Sequence, residues 1–514
     1  MEVFIIFKKI KNYFNRVSFN ERKSLEKIEL VKKSLKENIE YIEDEFKDSD
    51  DLTLREVKLG DISLTIVSLD GMVNKEVLAE SVLNPILVAK DAILNKDGNQ
   101  NKYDYIKSTV LTTTEQYELE NFNKALNLLM SGFALLFVDG ISKVIAIGIQ
   151  GFSFRAVSEP STEVTQKGSR ESFIESIKVN ITLIRRRLKN TNLKFENMIL
   201  GSQSNTHITL CYLSNVVSAR LLNEVKSKLQ SIDLKYLLAS EYLIPYLNGS
   251  GKISLFNEVG ISERPDTVCG KISEGRIAIL VDGAPTVLIL PYLFIEYFHT
   301  FDDYAQNPLF ATLARWLKYL SFLITILLPG VYVALGTFNP EAFPSKLVNK
   351  IATSIGETPF PIVFETLVIH FIYEIMREAG LRLPKPLGHA VSIIGGLVIG
   401  DAAVNSGLIG SPTLMVVALT AISSYIIPNL YEPCAVLRLL FILVGGIFGL
   451  LGVMILFTVV MLDICSKETY NVVFSSPVTP FSPSAMKDVF VRASWKELSK
   501  SYKKIQDISN ENKI

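Results

Sequence analysis

The residues able to do chemistry in this chain are a few polar side chains set in very apolar surroundings. Glu365, His370 and Glu374 fall inside the apolar stretch 359–376, where His370 and Glu374 share a helical face and Glu365 points elsewhere. Asp401 and Asn405 are again four apart, inside 387–409, and Ile394 and Leu397 complete a stripe with them on one face. An ionisable group deep in a bilayer is costly unless it faces protein or water. Ile394, Leu397, Asp401, Asn405, Glu365 and Glu374 are therefore the candidate ion path. The same groups could instead hydrogen-bond neighbouring helices and serve packing alone, and both readings stay open here.

Outside those stretches the sequence offers little for catalysis. There is no GxxxxGK[ST], no GxSxG, no HExxH and no pair of carboxylates in a soluble cleft, so no enzyme, cofactor or metal is expected. The four cysteines, Cys211, Cys269, Cys434 and Cys465, form no CxxC and no disulfide framework, which places the soluble part in a reducing, cytoplasmic setting. Lys+Arg and Asp+Glu both number 53, and that balance argues against a nucleic-acid partner. The triplet Arg185-Arg186-Arg187 could grip phosphate, but a salt-bridged or solvated face is the favoured reading.

These groups must be positioned by two kinds of architecture, because charge crowds into the first 300 residues and the last 50. Residues 1–50 read as a charged arm, and the apolar run near the N-terminus is too short for a signal peptide, so that end is expected to stay inside. Ile62, Leu64 and Ile66 alternate with polar residues up to Asp70-Gly71, and the strand 133–138 runs through Asp139-Gly140 into Val144. The pattern returns at 207–213, ending at Ser214-Asn215, and at 276–281, ending at Asp282-Gly283. Two related α/β subdomains follow, 51–155 and 156–300, joined through Glu159-Pro160-Ser161-Thr162-Glu163. A helix is expected from an N-cap at Ser169, with Glu171 in its first turn and the Arg triplet in its last, and another over 223–238.

The region 301–465 reads as an all-α polytopic transmembrane domain, followed by a basic tail, 466–514. Its apolar segments are 316–336, 359–376, 387–409, 412–428 and 437–462, and Tyr292, Phe294, Tyr297 and Phe298 just before them suit the headgroup belt. Five crossings from an inside start would leave the tail outside, whereas Lys467, Lys487, Arg492, Lys496 and Lys500 favour an inside tail, so one segment is expected to be re-entrant or interfacial. Gly396 and Gly400, and Gly445 and Gly449, are GxxxG pairs that with Gly395 allow close helix packing within or between subunits.

Taken together, several phrases resemble the A subunits of the GerA family of spore germination receptors. They are Glu159-Pro160, Arg170-Glu171-Ser172-Phe173, Asn180, Arg185-Arg186-Arg187-Leu188, Glu263-Arg264-Pro265-Asp266, Val281-Asp282-Gly283-Ala284-Pro285, Arg377-Glu378-Ala379-Gly380-Leu381-Arg382-Leu383-Pro384 and Gly400-Asp401-Ala402-Ala403-Val404. The resemblance runs from about residue 50 to the tail. It implies a multi-pass protein of the spore inner membrane that contacts lipid and works with a transporter-like B subunit and a lipoprotein C subunit. It further implies a homo-oligomer acting as a ligand-gated cation channel. Asp401 stands where the family usually shows Gln, and an acidic ring there would favour cations. Arg170, Glu263, Arg264 and Asp266 are expected to form ion pairs that hold the soluble part together and pass on ligand state. A germination-amplifying paralogue associated with the dipicolinate channel, and a secondary transporter, are the alternatives; no inverted repeat supports the latter.

Overall fold

The computed structural model describes residues 29–505 apart from 152–158, 161, 250–254, 345–347, 349–350, 352, 354–355, 384–399, 483–484 and 499–504. They form two compact units: the described parts of Met1–Lys47, Asp51–Phe152 and Lys189–Thr191, and those of Asp48–Asp50, Ser153–Leu188 and Asn192–Ile514.

The first unit runs α1 (Leu35–Glu45), β1 (Leu52–Leu59), β2 (Ile62–Leu69), short helical turns over 75–110, β3 (Gln116–Leu119), α2 (Phe122–Leu129), β4 (Phe133–Val138) and β5 (Val144–Gly148). The strands make one antiparallel sheet in the order β1-β2-β4-β5-β3. Side chains alternate across it: Leu64, Ile66, Leu136 and Ile145 pack with the 75–110 turns, and Val67, Leu69, Leu135 and Phe137 with α1 and α2. Because both faces are covered, β4 is apolar at every position, and the alternation heuristic for half-buried strands does not apply to it. The Asp139-Gly140 turn joins β4 to β5 as expected, with Gly140 at φ +83, where a side chain is disfavoured. The expected arm ends sooner than residue 50. Ile42 and Phe46 are buried in the core, so α1 belongs to the packed unit.

In the second unit, α3 (Ile177–Arg187), β6 (Leu193–Leu200), β7 (Thr206–Leu213), α4 (Ala219–Gln230), β8 (Gly260–Ser262), α5 (Pro265–Ser273), β9 (Ile277–Val281) and β10 (Val287–Leu290) repeat the plan, with sheet order β6-β7-β9-β10-β8. The repeat extends to single hydrogen bonds. Asn38 and Asn180, both 1% exposed, each accept the N–H and donate to the C=O of the residue six positions earlier, Lys32 and Ile174. Asp139 and Asp282 of the two Asp-Gly turns each accept the N–H of the first helical residue, Leu35 of α1 and Ile177 of α3, at 3.1 Å. A carboxylate at a helix N-terminus meets free N–H groups and the positive end of the helix dipole. That is the physical reason the Asp-Gly phrase recurs.

Two helix boundaries differ from expectation. The helix expected from Ser169 starts at Ile177, and that expected over 223–238 is Ala219–Gln230. Glu171 is therefore not a first-turn residue but pairs with Arg187 and, at 3.7 Å, with Arg186. Tyr292, Phe294, Tyr297 and Phe298 are not a headgroup belt. They stack edge-on among themselves and against Phe256 and Phe322 inside the protein.

The helical part of this unit comprises α6 (Pro308–Phe338), α7 (Ile362–Arg382), α8 (Gly400–Asn405), α9 (Ser411–Tyr425) and α10 (Tyr431–Ser466), then the small hairpin β11 (Glu468–Thr469) and β12 (Val472–Val473). Among the described residues, two helical runs, Pro308–Phe338 and Pro428–Ser466, are long and apolar enough to cross a membrane. The second is broken at Gly449, whose backbone stands at φ +61, ψ −155. A Cβ at Gly445 would lie 3.3 Å from a Val453 methyl, and one at Gly452 would lie 2.9 Å from a Val444 methyl. Residues eight apart on a straight helix are about 12 Å apart. The chain therefore doubles back at Gly449, and the segment expected as one span, 437–462, belongs to two antiparallel arms.

Contacts along the helices give their directions. Gly330 of α6 meets Phe441, and Phe338 meets Gly449, so the first arm of α10 runs parallel to α6. Ile362, at the start of α7, packs on Gly336, and Tyr373 lies 3.3 Å from Ser424 near the end of α9. The second arm returns to the foot of α6, where Arg315 binds Asp488 of the tail. The tail and the start of α6 thus lie at one end of the bundle.

Candidate functional site

Polar groups of α7 enter the bundle on two sides of the helix, Glu365 on one and His370 and Glu374 on the other. Glu365, 1% exposed, accepts the N–H of Gly410 before α9, and nearby the hydroxyls of Tyr332 of α6 and Thr413 of α9 lie 2.9 Å from each other. One turn on, the Nδ1–H of His370 donates to the Thr366 carbonyl at 2.9 Å, while Nε2 meets no partner among the described residues. Glu374, the next residue on that face, accepts from the Tyr431 hydroxyl and from Nη2 of Arg438. The guanidinium of Arg377 stacks on the Tyr431 ring at 3.2 Å. Arg438 is 1% exposed, and its Nε and Nη1 have no partner among the described residues. Glu374 is therefore held in an interhelical ion pair with α10.

Of the expected stripe, Asp401 and Asn405 lie on α8 with both side chains exposed, opposite the buried Gly400 and Ala403. Ile394, Leu397, Gly395 and Gly396 lie outside the described residues. Glu365 and Glu374 thus face the bundle interior, whereas Asp401 and Asn405 face away from the described helices. The glycines divide as well. A Cβ at Gly445 would sit 2.5 Å from the Gly330 carbonyl oxygen, so this close approach joins α6 and α10 within one chain. Gly449 is the turn, and Gly400 only touches Leu414.

A second cluster lies around α5 and the segments that pack beside it. Arg264, capping α5, donates to Asp266, to the Thr165 hydroxyl (3.0 Å) and to the Ser169 carbonyl (3.0 Å), and its guanidinium lies 4.9 Å from the Phe301 ring centroid. Glu263 accepts the Thr162 N–H at 3.3 Å. Arg170 takes no part and pairs at the surface with Glu159. Burial pushes the Glu163 carboxyl up, against hydrogen bonds from the Ser262 hydroxyl and the Glu263 N–H. The Arg triplet is structural: Arg185 is buried beneath α3, donates to the Leu193 carbonyl and the Ser49 hydroxyl, and lies over Phe195.

Further along, Arg276 and Lys271 converge on Glu296, which is 4% exposed. Burial opposes ionisation of Glu296, but the two cations outweigh it and hold the carboxyl below its ordinary range. At the foot of α6, fully buried Arg315 binds Asp303 at 3.0 Å and Asp488 at 2.9 Å, Lys318 shares Asp303, and the Tyr304 hydroxyl donates to Asp488 at 2.8 Å. The sequence gave no sign of Asp488 as a partner of Arg315, because it lies far along the chain.

The chain thus joins an antiparallel α/β repeat to a largely apolar helical bundle. A model of the family described as "Bacillus/Clostridium GerA spore germination protein" matches residues 40–503. Spore germination protein KA of Bacillus subtilis (strain 168) is 36% identical over 490 residues, covering 94% of this chain and 88% of the relative. Spore germination protein GerLA of Bacillus cereus is 32% identical over 467 residues, covering 89% and 93%. A B. subtilis relative described as uncharacterized membrane protein YfkQ is 33% identical over 470 residues, 90% of each chain. The crystal structure of the N-terminal domain of the A subunit of the Bacillus megaterium spore germinant receptor GerK3 covers 52% of this chain and 98% of its own, at 30% identity and TM-score 0.42. The chain belongs to the GerA family of spore germination proteins.

Proposed function

We propose that this chain is the membrane subunit of a nutrient germinant receptor of the spore inner membrane and that copies of it assemble around a cation path gated by nutrient binding. A transporter-like B subunit and a lipoprotein C subunit complete the receptor, and the soluble units face the cytoplasm. The observation that carries this reading is the exposed pair Asp401 and Asn405 on α8 of a largely apolar bundle. Left in lipid such a pair is costly; facing the same pair on neighbouring copies it forms an acidic, hydrated ring that favours cations. The folded-back arms of α10 support an even number of crossings, with soluble part and tail on one side. The ion pairs around Arg264, Glu296 and Arg315 are the groups through which a change in the second unit would reach α6.

Asp401→Asn and Asp401→Ala spores are expected to release monovalent cations several-fold more slowly after nutrient addition, with receptor levels unchanged. Cation release and germination at the unsubstituted rate in both variants would contradict the assignment of Asp401 to the path.

A further inference from the structure

Both tryptophans of the chain lie where the tail meets the foot of α6. Trp316 donates its indole N–H to the Phe490 carbonyl (2.9 Å), and Trp495 donates its own to the Tyr304 carbonyl (3.3 Å). The one polar atom of each ring is thus engaged by protein, while the rings remain 56% and 61% exposed. Phe490 and Val491 are exposed beside them, and Leu313 and Leu320 extend the surface one turn either way along α6. A contiguous apolar patch of this kind is unfavourable in water.

The tail segment that carries the patch is held down firmly. The N–H of Arg492 donates to the Thr312 hydroxyl (3.1 Å), its buried guanidinium to the Ala493 and Tyr304 carbonyls, and Asp488 is clamped by Arg315. Ordered backbone with outward aromatics is what an interfacial anchor requires, because the ordering entropy is met before lipid is engaged. Two observations choose lipid as the partner. The patch is continuous with the outward face of α6, a helix long and apolar enough to span a bilayer. Lys487 and Lys496 are also exposed on the same tail segment, as anionic headgroups would favour.

We propose that tail segment 489–496 is a membrane-surface collar that lies in the headgroup layer beside the foot of α6 with Phe490, Val491 and Trp495 directed toward the acyl chains. The proposal rests on α6 spanning the bilayer, and the test separates the two claims. The full-length chain is reconstituted in phosphatidylcholine–phosphatidylglycerol vesicles containing lipid brominated either just below the headgroup or near the acyl terminus. Trp316→Phe leaves Trp495 as the sole emitter, and Trp495→Phe leaves Trp316. The collar predicts that Trp495 loses more emission to the shallow bromines than to the deep ones and is protected from aqueous acrylamide. Trp495 quenched by acrylamide and not by bromolipid, with Trp316 quenched by bromolipid, overturns the collar and leaves the spanning helix intact. Trp495 reached by neither quencher means that protein covers the patch, and this also overturns the collar. Bromolipid quenching of neither indole overturns both claims. Should either substitution unfold the chain, the unsubstituted protein still decides: near-complete accessibility to bromolipid supports the collar, and emission that acrylamide quenches but bromolipid does not contradicts it.

Discussion

Arg438 carries a guanidinium into the helical interior and meets one acid, Glu374, there. Removing one member of a buried ion pair leaves an uncompensated charge and costs about 3–5 kcal/mol, whereas replacing both by apolar residues of similar volume is often close to neutral. Glu374→Ala is therefore expected to destabilise the chain by about 3 kcal/mol, the lower end of that range because the Glu374 side chain is 29% exposed. The double variant Glu374→Leu, Arg438→Met should recover most of the loss. Thermal unfolding in detergent measures both, and equal losses in single and double variants would contradict the pairing. The acids of α7 were visible in the sequence as charges inside an apolar stretch, and their partners were not. Arg438 sits one residue inside the apolar run 437–462, a position that reads as a flank until the fold places it opposite Glu374. Likewise Gly410 and Arg438, which take the carboxylates of Glu365 and Glu374, are distant in sequence and gave no signal there.

At the scale of elements, Gly449 decides the shape of the bundle. Its φ +61, ψ −155 is a conformation essentially reserved for glycine, and a Cβ there would also lie 3.1 Å from the Phe338 ring. Gly449→Ala is expected to cost about 1–3 kcal/mol of stability and to spread the two arms of α10. Gly270, inside α5 with nothing within 4 Å of its missing Cβ, is the control, where alanine should stabilise by about 0.5–1 kcal/mol. Matching melting temperatures for the two variants would contradict the account of the turn. The strands were readable because apolar runs ending in Asp-Gly specify strand and turn locally. The helix starts at 177 and 219 were not, because apolar spacing alone does not say which serine caps. Ser169 was expected to be the N-cap, but the chain from there to Glu175 is fixed by Arg264, Arg187 and the edge strand β8. A GxxxG pair in sequence could equally mean packing or a bend, and only the backbone angles at Gly449 separate Gly445 from it.

For the whole molecule, the repeat was legible because two sheets of the same order leave the same phrases at nearly the same spacing, although the matching Asn38 and Asn180 locks gave no comparable signal. The membrane topology was not legible, since hydropathy counts apolar residues and cannot see a reversal inside one apolar run. The account requires the soluble part and the tail on one side of the bilayer and the α6–α7 connection on the other. Single cysteines at Lys235, Lys487 and Glu357, all exposed positions, report these three places in a Cys465→Ser background that removes the exposed native thiol. Labelling by a membrane-impermeant maleimide in sealed vesicles of known orientation is the most direct test. The expected result is that Lys235→Cys and Lys487→Cys react from the same face and Glu357→Cys only from the opposite one. Reaction of the Lys235 and Lys487 positions from opposite faces would contradict the folded-back bundle.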